Sequence, residues 1–425
     1  MKSNVNNFQY KVQLIIQKIS ENRYLKAIMN GMMTALPAVI VGALAALLKN
    51  IPITAYQNFI NSFGIEKYLQ LPITFTTNFL AVVFVFCIAS SLAETFDEKG
   101  TIPGVIALIS FFIITPIQSV KTTFGIGANI PMDWLGATGI FSAIIVALVT
   151  SRLYIYIVKK GWTIKMPESV PPFIKNSFAS LIPGTIILSI FVVISAIFAS
   201  TPFKSMHQFI YSFVQTPLMH LGGNIWALIL VAIVSQLLWA FGIHGTMVAF
   251  SVMMPIWQAL DVAQLSAYSA GKPLPNIVGL AFFMIYTFGG TVLGLNLLML
   301  KARSRRFKTL GKLAIVPGLF GITEPIVFGT PLVLNPIFVI PFVFGNVISL
   351  ILAYIATLLK IIPPPAGVGM AIGMPIGLQG LLQGSWKIAV FQIALVFLWI
   401  ILWYPFFKIA DNKAYMEESE ATQSQ

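Results

Sequence analysis

The sequence predicts an all-α, polytopic membrane protein with about ten transmembrane helices and two re-entrant hairpins. Three observations carry this reading. Hydrophobic residues make up 57% of the chain and charged residues only 9%, against roughly 25% charged in soluble domains. The mean hydropathy is +0.88. Apolar stretches follow one another along nearly the whole length, two of them interrupted by Gly and Pro. No soluble domain of useful size fits between them. The net charge of +13 is not a nucleic-acid signature, because the basic residues lie between apolar stretches, as cytoplasmic loops do. The single Cys87 excludes an internal disulfide and reads as a small core residue. No cleavable signal peptide is expected, since the first long apolar segment is long enough to span.

Residues 8–26 alternate apolar positions (Val12, Leu14, Ile15, Ile16, Ile19) with Lys11, Lys18 and Arg23. This suits an amphipathic helix, on the cytoplasmic membrane surface or packed beneath the protein. Five spans follow near 28–48, 71–93, 101–119, 138–158 and 177–199. With the basic N-terminus inside, the loop Glu94–Lys99 is cytoplasmic, and so is the loop after the fourth span, whose Arg152, Lys159, Lys160, Lys165 and Lys175 agree with that side. Further spans lie near 223–243 and 277–299. Six of the twelve residues in 301–312 are basic, so that loop also belongs inside. Parity then requires one more crossing, assigned to the weakly apolar stretch 203–222. A span near 337–359 and a last one near 388–407 complete the count. Both termini are cytoplasmic, and the polar tail from Lys408 to Gln425 is expected to be mobile. The domain reading is a transmembrane bundle at 1–200, a substrate-binding transport domain with the hairpins at 201–410, and a cytoplasmic tail at 411–425.

The first hairpin surrounds Glu324, the one charged residue between Leu313 and Leu359. An isolated carboxylate in hydrocarbon is costly, so it should face protein, water or substrate. Gly321, Pro325, Gly329, Pro331 and Pro336 prevent a straight helix. Broken backbone at membrane depth is tolerated where it is buried or lines a cavity. The competing reading is a surface loop with a solvated Glu. The second broken segment runs from Pro363-Pro364-Pro365 through Gly367, Gly369, Met370, Gly373, Pro375, Gly377 and Gly380 to Gly384.

His244 follows Phe241-Gly242-Ile243 and precedes Gly245. It suits either a ligand-binding group for a sugar hydroxyl or a structural His at a helix break. His207 and His220 read as structural. Asn78, Gln236, Asn296, Gln379 and Trp386 are candidate substrate-binding groups, since amides fork to hydroxyls and Trp stacks on a pyranose. An interhelical hydrogen bond or interfacial anchoring is the more ordinary explanation of each. No nucleotide-binding motif and no Cys/His metal spacing is present, so no cofactor or metal is expected.

The run Gly311-Lys312-Leu313 to Leu334-Asn335-Pro336, containing Gly321-Ile322-Thr323-Glu324-Pro325, resembles the signature of enzyme IIC subunits of the bacterial phosphotransferase system. The nearest subfamily is lactose/cellobiose/diacetylchitobiose. Phe241-Gly242-Ile243-His244-Gly245 resembles a second motif of that family, and Val170-Pro171-Pro172-Phe173 through Pro183-Gly184 a third. The resemblance covers almost the whole chain. Here Gly321 and Thr323 stand where the family commonly has Asn, so no one disaccharide is assigned. The resemblance implies a homodimeric carrier in the bacterial plasma membrane that binds a disaccharide such as cellobiose, lactose or diacetylchitobiose. It implies that His244 and Glu324 bind the sugar. Glu324 would act on the 6-hydroxyl as catalytic base, and a phosphorylated cytoplasmic enzyme IIB would be the donor. No fused IIB domain with a cytosolic Cys fits beside the spans, so the donor is expected to be a separate protein. A competing class is an ion-coupled secondary transporter using Glu324, and a third is a sugar receptor without transport. Only group translocation requires a phosphorylated partner and yields sugar phosphate.

Overall fold

A computed structural model describes residues 18, 21–51, 53–122, 125–167, 169–242, 244–330, 332, 335–369 and 373–423. Most of the amphipathic segment expected at 8–26 therefore lies outside the described residues, as do Ile243, Pro331 and Met370 of the motifs. The described chain is overwhelmingly helical. One departure from an all-α fold is a two-stranded antiparallel hairpin, Gln118–Thr122 with Gly125–Asn129, in the register Gln118 opposite Asn129. It follows Pro116, where no helix continues.

Six helices are long and apolar enough to cross a membrane, or eight if each of two bent pairs counts as one span. The chain is thus a multi-pass membrane protein, with two of the expected spans shaped differently. The 101–119 span is a helix of only 14 residues, Thr101–Ile114, about 21 Å long. The 277–299 span is not continuous: Leu280–Tyr286 and Val292–Met299 flank a short 3-10 turn, Phe288–Thr291. Gly289 and Thr291 there have φ of 52° and 64°, outside the helical region. Conversely, Gly245–Ser269 forms a 25-residue helix that passes the same length and hydropathy test. Its buried Gln258, Asp261 and Gln264 lower the apolar signal and hid it from the sequence. It is a further candidate crossing that the hydropathy reading did not count. The stretch 203–222 is helical from Met206 to Gly222, with a π-helical turn at Tyr211–Gln215.

The contacts divide the chain into two compact units, 18–220 with 254–271, and 221–253 with 272–425. The boundary falls beyond residue 200, and the first unit regains a segment of the long helix. In the first unit, Leu80–Glu94 packs between Arg23–Thr34, Thr101–Ile114 and Ile140–Lys159. Small residues allow close approach: a Cβ on Gly31 would lie 2.6 Å from the Cα of Ile88. His207 is fully buried, stacked on Trp134 and edge-on to Phe111, with Nε2 3.0 Å from the Thr115 hydroxyl. This is a packing environment.

The second unit is built along Trp386–Gln423, a single helix of 38 residues. Polar groups along it hold the broken pieces. Trp399 Nε1 donates to Ser349 Oγ at 2.8 Å, and Trp403 Nε1 donates to Thr291 Oγ1 at 3.3 Å. Gly294 lies against the Trp399 backbone, where a Cβ would clash at 2.6 Å. The tail expected to be mobile continues this helix to Gln423 and docks. The Asp411 carboxylate accepts from the N–H groups of Arg303 and Ser304 and from the Ser304 hydroxyl, at 2.8, 3.0 and 2.8 Å. The Glu418 carboxylate accepts from the N–H groups of Arg305 and Arg306. These are donors that the helix Arg305–Leu319 leaves without intrahelical partners. That helix leads directly to Glu324.

Replacing Asp411 by Ala strips partners from three donors at a buried site, and we expect a loss of about 2–3 kcal/mol. Thermal melting in detergent should show a clear drop for Asp411→Ala and a smaller one for the exposed Glu418→Ala. Equal or absent shifts would overturn the docking of the tail.

Candidate functional site

Four of the sequence-selected residues meet in one cavity of about 290 Å³ within the second unit: His244, Glu324, Gln236 and Gln379. Such a volume lies at the lower end for small-ligand sites. Each broken segment contributes a wall. The break in 280–299 supplies Thr287, Phe288 and Gly289. The end of Arg305–Leu319 supplies Phe320, Gly321, Thr323 and Glu324.

The chain folds this way locally for definable reasons. Helix Ile225–Ala240 ends at Phe241 and Gly242, the latter at φ 80°, a conformation natural to Gly. His244 then precedes the N-terminus of Gly245–Ser269. Its Nδ1 accepts the Met247 N–H at 3.3 Å. That bond makes Nδ1 the acceptor, so the neutral ring carries its proton on Nε2. Nε2 faces Glu324 Oε1 at 3.8 Å. The separation exceeds a direct hydrogen bond, and both side chains are about half exposed to the cavity, at 45% and 47%. A hydroxyl oxygen about 2.8 Å from both atoms would see them at an angle near 85°, compatible with accepting from one and donating to the other. Glu324 therefore escapes burial in hydrocarbon by opening onto this cavity, as expected of the first hairpin. Gly321, at φ 77°, turns the chain out of the preceding helix. Thr323 caps the short helix Glu324–Gly329, its carbonyl accepting from Ile326 and Val327.

Trp239 closes one side. Its ring lies 4.2 Å from that of His244, and its Nε1 donates to Thr246 Oγ1 at 3.2 Å. Gln236 and Asn346 line the cavity while being only 3% exposed, and each has a buried amide oxygen without a partner. Gln379 is in the wall, but its Oε1 accepts from Gln392 and its Nε2 donates to the Met374 carbonyl.

The remaining candidates do not line the cavity. Asn78 belongs to the first unit, where its Oδ1 lies 3.5 Å from Ser266 Oγ. Asn296 is fully buried and donates to the Gly311 carbonyl at 3.0 Å, an interhelical bond. Trp386 begins the C-terminal helix with 65% of its surface exposed, an anchoring position. Trp239 and Asn346 were not selected from the sequence. Asn346 carried the same signal as Asn296, an amide alone in an apolar tract. Trp239 carried its spacing just before the helix break.

A multi-pass fold with a half-polar cavity, one carboxylate and aromatic walls defines a membrane carrier for a small polar solute. The family model described as phosphotransferase system, EIIC, matches residues 29–345. The oligo-β-mannoside-specific EIIC component of Bacillus subtilis (strain 168) is 35% identical over 414 residues, covering 96% of this chain and 94% of its own. The cellobiose-specific EIIC component of Geobacillus stearothermophilus is 35% identical over 425 residues, with the same coverage. The crystal structure of ChbC, the IIC component from the N,N′-diacetylchitobiose-specific phosphotransferase system, superposes with a TM-score of 0.89. It is 34% identical and covers 96% of this chain and 98% of its own. The chain belongs to the phosphotransferase system EIIC family of sugar permease components.

The two ring nitrogens of His244 give separable predictions. Asn places an acceptor near Nδ1, and Gln places a donor near Nε2. His244→Asn should keep the wild-type melting temperature but weaken sugar binding by about 1–3 kcal/mol. His244→Gln should retain more affinity and melt lower. Calorimetry and thermal melting measure both, and an affinity unchanged by either substitution would remove His244 from the site.

Proposed function

We propose that this permease component binds a disaccharide such as cellobiose, lactose or diacetylchitobiose and presents its 6-hydroxyl to phosphorylated enzyme IIB. The observation that carries the reading is the His244 Nε2 and Glu324 Oε1 pair, 3.8 Å apart and open to one cavity. The disaccharide class rests on the named substrates of the relatives. Trp239, Phe283 and Phe288 offer apolar faces to pyranose rings.

In the proposed step, the 6-hydroxyl accepts from His244 Nε2 and donates to Glu324. As the hydroxyl oxygen attacks the phosphorus of a cysteinyl phosphate on IIB, its proton passes to Glu324. The S–P bond breaks, the IIB thiolate leaves, and the sugar 6-phosphate is released inside. General-base action of this kind requires reach of about 2.6–3.2 Å to the hydroxyl. A solute that becomes charged on arrival does not return through the carrier. The donor is a separate cytoplasmic protein, and the carrier works as a homodimer in the bacterial plasma membrane. Broad apolar surface remains for lipid or a second copy: Val192, Val193 and Ile197 on Leu181–Ala199 are all more than half exposed. Family membership leaves the ion-coupled reading without support.

Glu324→Gln keeps a hydrogen-bonding group of the same size and removes the base. It should lower phosphorylation in vesicles supplied with phospho-IIB by at least about 100-fold, with disaccharide affinity changed far less. Normal turnover in this variant would remove Glu324 from the chemistry.

The reading also requires 301–312 on the donor side, as its basic residues imply. Ser304 is buried under Asp411, so the exposed Thr309 is the better reporter. In a Cys87→Ala background, Thr309→Cys should resist an impermeant thiol reagent in intact cells, whereas Ser200→Cys should react. Labelling at 309 would reverse the orientation.

A further inference from the structure

The cavity wall at Gln379 is set by a buried residue that does not touch the cavity. Gln392 lies on the C-terminal helix and is fully buried. Its Oε1 accepts the Gly377 N–H at 2.8 Å and the Gly380 N–H at 3.3 Å. Its Nε2 donates to the Ile285 carbonyl at 3.2 Å and to Gln379 Oε1 at 3.1 Å. One amide thus joins the second broken segment to the end of Leu280–Tyr286. Both segments contribute to the cavity through Gln379, Phe283, Met284 and Thr287.

The two ends of a Gln amide are ordinarily interchangeable, and neighbours decide between them. Here the decision propagates. Two backbone N–H groups donate and need an acceptor, so Oε1 of Gln392 must face Gly377 and Gly380. Nε2 must then face Ile285 and Gln379. The Ile285 carbonyl accepts, which is consistent. The Gln379 atom meeting Nε2 must be its oxygen. Its own nitrogen then turns to the Met374 carbonyl at 3.2 Å, again an acceptor. Every bond in the chain has one possible direction. Gln379 is left with one uncommitted N–H at a residue that lines the cavity.

We infer that Gln392 is a positioning residue that fixes Gln379 as a hydrogen-bond donor to the substrate. The wall at this point therefore selects an acceptor on the sugar, whether a hydroxyl, a ring oxygen or an acetamido carbonyl. Glycine geometry supports the anchoring. A Cβ on Gly380 would lie 2.6 Å from the Cα of Ala389, and Gly377 has φ of 82°. The segment thus reaches Gln392 only because these positions lack side chains. The inference deepens the disaccharide-binding reading and rests on it for the identity of the ligand, but not for the anchoring.

Two measurements on the full-length protein in nanodiscs test it. The first uses no sugar. Hydrogen exchange of the peptide spanning 375–383 should be slow in the wild type and at least about tenfold faster in Gln392→Leu, because the Gly377 and Gly380 N–H groups lose their acceptor. Unchanged exchange would overturn the anchoring. The second uses Gln392→Glu, which keeps an oxygen for the glycines and places a second oxygen where the donor was. Gln379 must then turn its nitrogen toward residue 392. Affinity for cellobiose, lactose or N,N′-diacetylchitobiose, whichever the wild type binds, should fall about tenfold, the worth of one hydrogen bond. In a Gln379→Met background the same substitution should change affinity less than about twofold. Equal losses in both backgrounds would show that residue 392 acts through the fold at large and would overturn the positioning role. If none of the three sugars binds the wild type, the substrate reading fails, and the exchange experiment still decides for Gln392.

Discussion

Backbone that is broken at membrane depth needs hydrogen-bond partners that lipid does not provide. The second unit depends on meeting this requirement. Its cavity exists because helices stop near Gly289 and Gly321 and a short helix starts only after Gly377, and each break frees N–H and C=O groups. The C-terminal helix answers from one continuous element. Gln392 takes Gly377, Gly380 and Ile285. Those are backbone groups, whereas Trp403 and Trp399 anchor the neighbouring pieces through side-chain hydroxyls, Thr291 in the 3-10 turn and Ser349 on the helix Pro336–Leu358. Asp411 and Glu418 complete the start of the helix that carries Glu324 into place. An unbroken helix satisfies its own backbone, so its side chains are available to satisfy that of its neighbours.

The same logic explains why a carboxylate survives in so apolar a tract. Among the described residues Glu324 is paired with no Lys or Arg, and it is not sealed in the core. It faces His244 across a gap wide enough for a shared third group. A tight direct pair would satisfy both residues and leave little reason for a ligand to enter. His244 is held at the required angle by its other nitrogen, which caps the following helix through Met247. The structural role thus uses Nδ1 and leaves Nε2 facing the cavity.

Much of this was legible in the sequence. Composition alone identified a multi-pass membrane protein, and the lone Glu324 between helix breakers pointed to the cavity. Four of the seven selected site residues share that cavity. The failures have physical causes. Hydropathy reports burial in something apolar without telling lipid from protein. It therefore read 277–299 as one continuous helix although Gly289 and Thr291 break it, and passed over Gly245–Ser269, whose buried Asp261 and Gln264 resemble loop residues. The tail from Lys408 was polar enough to look mobile, but its acidic residues have partners more than a hundred residues away in sequence. Amides in apolar tracts were the weakest signal. Asn296 bonds a neighbouring helix, whereas Asn346, alike in sequence, lines the cavity.

The two departures from the family pattern before Glu324 differ in kind. Gly321 adopts φ of 77°, and after Gly the residue that tolerates this region best is Asn. Gly and Asn thus meet the same backbone demand, and the change leaves the turn intact. Thr323 is another matter, because its side chain is in the cavity wall. An Asn there would offer a donor and an acceptor beside Glu324, while Thr offers one hydroxyl and a methyl. The methyl lies so close to Gly289 that a Cβ at 289 would come within 2.7 Å of it. The exchange removes an amide next to the carboxylate and fills the space with packing. Amide recognition in this cavity is then left to Gln236, Asn346 and Gln379, and of these only Gln379 has its polarity fixed by its neighbours.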